Sequence, residues 1–198
     1  MKIYQVSFLA VFAFGSTLLS ESKAQGISAF EAFKMFCVDT NIEKDAIRAK
    51  AISMGGTPLA VEKTEIGELL ARAAKVDYDQ ASWLVKSDAR QFRVNYLAMR
   101  SLETSGELPM ARESCHVWFD WEEASADSDF SSWVGLTASG TMPGIGLTFY
   151  YYEVVDGKRV KLPSNFLVDP TFSKTVRWKA EVTHWPSLGM NLSRGVSR

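Results

Sequence analysis

Two histidines and two cysteines are all that this 198-residue chain contains of those residue types, and neither pair has a spacing diagnostic of a metal or thiol site. No Gly-x-Ser-x-Gly elbow is present, which disfavours an ordinary α/β-hydrolase. No Gly-x-x-x-x-Gly-Lys loop is there to cradle phosphate. Gly144-Ile145-Gly146 lacks the third glycine and following helix of a dinucleotide site, so it reads as the start of a strand. Charge of one sign is missing too. The net charge of -1 argues against nucleic acid as a partner, since such binders concentrate a basic field. The one basic cluster, Arg194 to Arg198, is short and diluted by glycine and serine. After residue 24 no apolar run approaches the ~20 residues of a spanning helix. No cofactor is implied.

What is present begins with the first 24 residues. Met1-Lys2 is positive, Val6 to Leu19 is apolar, and Ser22-Lys23-Ala24 is a small-x-small cleavage site. That order is the pattern of a secretory signal peptide, with cleavage expected after Ala24 and the mature protein periplasmic or extracellular. Retention as a membrane anchor is the alternative, but the run is short and Gly15-Ser16-Thr17 interrupts it. Export would place Cys37 and Cys115 where thiols oxidise, so a disulfide is expected between them; two buried free thiols are the alternative. The bridge would close a loop of roughly 80 residues, for which the chain-entropy model assigns about 4.5 kcal/mol. A hydrophobic content of 46% with 23% charged residues suits a globular domain. The expected division is a signal peptide over 1–24, one domain over 25–186 and a flexible tail over 187–198.

Ser28 and Glu31 form a capping box, and Phe30, Phe33, Phe36 and Cys37 follow at helical spacing. Thr40 to Glu43 reads as a second capping box. Ala46, Ile47, Ala51 and Met54 make the stripe of its helix, and Gly55-Gly56 stops it. Residues 57–63 read as a connection and 64–87 as weakly helical, with Asp77 to Gln80 as a break. Period-two alternation then predicts strands over 91–102 (Phe92, Val94, Tyr96, Ala98) and from Cys115 to Trp121. Turn chemistry fills 103–109. Asp129 reads as the cap of a short helix carrying Phe130, Trp133 and Val134. Strands are expected over 145–155 and 159–168, hinged at Asp156-Gly157, with Pro163 weakening the second. The clearest alternation runs over 175–185.

The expected class is therefore α+β: N-terminal helices, then a roughly five-stranded antiparallel sheet with one inserted helix, in the order β-β-α-β-β-β. That element order resembles the generic layout of PAS-like and profilin-like sensor domains, and a cystatin-like or helix-grip arrangement fits it as well. Element order does not carry function.

His116 and His184 lie on two expected strands. With Asp120 or Glu181 they have the chemistry of a metal site or an acid–base pair, although a hydrogen-bonded sheet histidine is the plainer reading. Cys115 and His116 point to opposite faces, which excludes a thiol–imidazole pair between neighbours. The acids Asp120, Glu122, Glu123, Asp127 and Asp129 read as a solvated connection. Trp118, Tyr150 and Tyr152 are expected to share one sheet face, opposite Phe119, Phe149 and Tyr151. With His116 and His184 they are the candidate ligand or partner surface, burial of the aromatics in the core under the helices being the plainer reading. Asn191-Leu192-Ser193 fits a glycosylation acceptor. The function expected is non-catalytic binding of a protein or small molecule outside the cytosol. The competing readings are a small exported hydrolase using His116 or His184 with a carboxylate, and an envelope assembly component.

Overall fold

A computed structural model describes residues 26–60, 76–88, 90–101, 110–162 and 176–197. The leader and the whole of the expected turn over 103–109 lie outside them, as do residues 64–75 of the stretch expected to be weakly helical.

Helix α1 (Ala29–Phe33) starts as expected. The Glu31 N–H donates to Ser28 Oγ at 3.1 Å, and the Ser28 N–H donates to Glu31 Oε2 at 3.0 Å. Those bonds from Ser28, backbone first, hold the Glu31 carboxyl below its usual range. The helix continues as a π-turn over Lys34–Val38, and Phe33, Phe36 and Cys37 are all fully buried. The second capping box does not form. Asn41 and Ile42 turn back with positive φ, Glu43 is the N-cap of α2 (Lys44–Ser53) without a side-chain bond, and Thr40 Oγ1 donates to the Phe36 carbonyl instead. Burying the Ile42 side chain completely is what that turn achieves. Gly55 and Gly56 stop α2 as expected: their N–H groups donate to Ile52 and Ala51 carbonyls, with Gly55 at φ +72°.

The sheet is larger than expected. Among the described residues it has nine strands: β1 (Thr57–Leu59), β2 (Val76–Ser87), β3 (Arg90–Ser101), β4 (Met110–Phe119), β5 (Gly140–Met142), β6 (Leu147–Val155), β7 (Lys158–Lys161), β8 (Arg177–Thr183) and β9 (Gly189–Ser197). Their spatial order is β1-β2-β3-β4-β9-β8-β6-β5, with β7 beside the far end of β6, and every pair is antiparallel. The α+β class stands, but the five-stranded layout does not. Residues 76–87 are strand rather than helix because Trp83 and Val85 enter the core two residues apart while Leu84 faces the other way. Thr57–Leu59 is an edge strand, not only a connection. Gly144 and Ile145 lie in a 3-10 turn that precedes β6. The stretch after Pro186, expected as a tail, is β9, the strand that joins the two halves of the sheet.

The third helix, α3 (Ala126–Val134), begins after Ser125, so Asp129 sits within its first turn and is not its cap. These helices cover one face of the sheet. Phe33 meets the Phe130 ring at 5.1 Å and the Trp133 ring edge-on at 5.3 Å, and Phe36 meets Phe92 at 5.7 Å. Each such aromatic pair adds about 0.5–1.5 kcal/mol beyond its burial. The Arg159 guanidinium lies over Trp133 and donates to the Trp133 and Val134 carbonyls at the end of α3, docking the β6–β7 hairpin there. The expected disulfide is present: Cys37 and Cys115 are bonded, with 5.3 Å between Cα atoms and a sequence separation of 78. It bolts the first helix to the middle of the sheet.

Candidate functional site

Antiparallel register stacks side chains into cross-strand rows, and alternate rows face opposite sides. The row Ala81–Tyr96–Cys115–Leu192–Ala180–Tyr150 faces the helices. The next row faces the open side and is polar: Ser82 (β2), Asn95 (β3), His116 (β4), Asn191 (β9) and Glu181 (β8). These five residues come from five different strands. Only the pairing of β4 with β9 makes them one site.

The geometry of the row is specific. Ser82 Oγ donates to Asn95 Oδ1 at 2.6 Å. On the other side, Asn191 Nδ2 donates to Glu181 Oε2 at 2.6 Å, while Lys179 closes on the second Glu181 oxygen. Between them lies the His116 ring, 4.0 Å from the Trp118 ring centroid and inclined 30° to it. Both rings lie against Gly189. A Cβ there would stand 2.7 Å from Trp118 and 2.9 Å from His116 Nε2, so only glycine leaves room. Burial pushes the His116 pKa down to about 4 against the opposing pull of Glu181, and the ring is neutral at pH 7. Two buried polar atoms here have no partner among the described residues: His116 Nε2 and Asn191 Oδ1. An unpaired buried acceptor costs about 1–3 kcal/mol, so its presence at an accessible row is a signal of function. Ser82, Asn95, His116 and Asn191 of this row line a cleft of about 490 Å³ that runs on past Leu97, Met99 and Arg112.

His184 is elsewhere. It follows β8, and its Nδ1 meets Glu122 Oε2 at 3.1 Å while its Nε2 meets Asp127 Oδ1 at 3.0 Å. Burial lowers its pKa, but bonds and charge from Asp127 and Glu122 outweigh it, and the net shift is upward. Glu122 and Asp127, expected to be merely solvated, are thus cross-links. Glu123 works the same way: its Oε2 accepts the Ala29 N–H at 2.7 Å and the Trp121 indole N–H at 3.2 Å. Both His184 nitrogens are taken, which leaves the ring without a free position for general-base work. His116 and His184 do not converge, because β9 separates their strands. Among the described residues no group of three or more metal-ligating side chains is placed to hold an ion.

The candidate aromatic surface is split between the two faces, and burial in the core holds for two of its three aromatics. Trp118 lies on the open face, but Tyr150 and Tyr152 are buried under the helices, because Tyr150 shares a row with Cys115. Burial lifts the Tyr152 hydroxyl to about 12. Among the described residues the aromatics on the open side of the strands are Trp118, Phe149, Tyr78 and Tyr151, the last itself buried. Asn191, expected as a glycan acceptor, is a buried sheet residue only 8% exposed. Asn95, Ser82 and Arg112 carry no sequence signal of their own; a polar residue at an alternating position of a strand was the one available clue. Arg194, expected as part of a basic tail, bonds Glu113 and Glu43 and ties β9 to the start of α2.

No protein-family model, curated protein or solved structure matches this chain.

Proposed function

We propose that this protein is an exported, periplasmic or extracellular, non-catalytic binding domain that receives its ligand in the open-face cleft. The observation that carries the reading is the buried Asn191 Oδ1, unpartnered among the described residues, in a cleft beside a neutral His116. A site that leaves a buried acceptor unpaired gains when a ligand donor fills it. Export is supported by the leader pattern and by the disulfide, a bond that persists where thiols are not kept reduced. The neutral imidazole has no nucleophile bonded to it among the described residues, which favours recognition over hydrolysis.

The hydrolase alternative draws on the carboxylate contacts of His184, and the occupied nitrogens count against it. Two measurements test the proposal. Intact mass before and after reduction reads cleavage after Ala24 and the bridge; full-length chain with two titratable thiols would refute export. Histidine-labelled protein, titrated with fractions of a small-molecule extract from the exporting cells' envelope and medium, is expected to show His116 ring signals moving with one fraction. Signals that stay fixed across all fractions would refute binding at this cleft.

A further inference from the structure

The two asparagines of the polar row are oriented in opposite senses, and that orientation selects a ligand. Asn95 uses its oxygen to accept from Ser82, which leaves its Nδ2 hydrogens as donors. Asn191 uses its nitrogen to donate to Glu181, which leaves its buried Oδ1 as acceptor. They sit on the strands flanking His116, about 10 Å apart at two strand spacings. A trans peptide group laid over His116 points its C=O and N–H in opposite directions, one toward each asparagine. An ionised carboxylate has acceptors only and would leave Asn191 unsatisfied.

The cleft continues four residues along β4 to Arg112, about 13 Å from His116 at strand rise. Among the described residues Arg112 has no carboxylate partner; its Nη2 donates weakly to Ser193 Oγ at 3.4 Å. Leu97 and Met99 lie along the way and supply apolar wall. An extended chain spans about 3.3–3.6 Å per residue, so a carboxylate two to three residues beyond the amide falls within reach of the guanidinium.

We propose that the cleft binds a short, extended peptide through one backbone amide bracketed by Asn95 and Asn191 and a terminal carboxylate held by Arg112. The proposal rests on the binding reading given above and narrows it to a ligand class.

The probes are N-acetyl-trialanine with a free carboxylate, the same peptide as its C-terminal amide, and acetate. His116 ring shifts and Trp118 emission are followed in the disulfide-bonded protein. The free acid is expected to move both signals saturably, with the amide about tenfold weaker or worse, as the loss of a charged hydrogen bond implies, and acetate inert up to the same concentration. Arg112→Gln should bring acid and amide to equal, weak affinity. Asn95→Ala should weaken both peptides alike. Equal binding of acid and amide to the unaltered protein would overturn the Arg112 assignment, and a free acid that leaves His116 unmoved would overturn the peptide class. If an extract fraction then still moves His116, the peptide class alone has failed; if none does, the binding reading has failed with it.

Discussion

Removing the disulfide is the sharpest test of how this domain is held together. Cys37 and Cys115 are fully buried and join the first helix to β4 across a separation of 78 residues. In the chain-entropy model, a loop of that length withholds about 15 cal/mol/K from the unfolded chain, or about 4.5 kcal/mol at 25 °C. A typical domain is stable by only about 5–15 kcal/mol, so the bridge accounts for a large share. The assay is urea unfolding of the intact protein with and without reductant, beside the Cys37→Ala/Cys115→Ala variant. Reduction leaves the sulfur atoms in place and reads the loop effect. The double variant adds a small cavity cost, of order 1 kcal/mol. Both forms should lose about 3–5 kcal/mol, and the urea slope should steepen because the uncrosslinked chain unfolds to a more open state. A loss below about 1 kcal/mol on reduction, with an unchanged slope, would refute the claim that this bond joins two distant parts of the chain.

The two histidines should give opposite pH signatures. His116 titrates near 4 in the folded protein and near 6.5 when unfolded, so the unfolded state binds its proton first. Stability should therefore fall as pH drops from about 6.5 toward 4, by up to about 3 kcal/mol, and ring NMR should show His116 neutral at pH 5. His184 has a raised folded pKa, so its contribution is complete below about 6.5 and lost as pH rises through the folded value. Its partners Glu122 and Asp127 are well exposed, which limits the effect to about 1 kcal/mol or less; Glu122→Gln with Asp127→Asn should flatten the pH dependence above about 6.5 while the His116 slope below it stays, and a slope persisting above about 6.5 would exclude this cluster as its source. Gly189→Ala should push Trp118 and His116 aside, costing about 1–3 kcal/mol in chemical denaturation and shifting Trp118 emission. An unperturbed emission spectrum in that variant would refute the close packing of the three residues.

How far the fold was legible depended on whether the period in the sequence belonged to one face. Phe92, Val94, Tyr96 and Ala98 alternate cleanly and are all buried, so β3 was readable; Cys115, Val117 and Phe119 likewise marked β4. In β2, Trp83, Leu84 and Val85 are consecutive apolar residues, which mimics a helix patch until the sheet assigns Leu84 to the other face. Leu188 just before β9 and Met190 and Leu192 within it do alternate, but Gly189, Gly195 and the nearby Pro186 disguise a central strand as a tail.

The sequence by itself determined the α+β class, the start of the first helix and the stop of the second, the strands β3, β4 and β8, and the pairing of its only two cysteines, because capping, alternation and cysteine count are local or exhaustive signals. The tertiary structure alone decided that β9 enters the middle of the sheet, that Tyr150 and Tyr152 are core, and that Ser82, Asn95, His116, Asn191 and Glu181 form one row. Register between strands 75 residues apart along the chain, such as His116 against Asn191, is set by how whole apolar faces fit under the helices, and no local pattern encodes it.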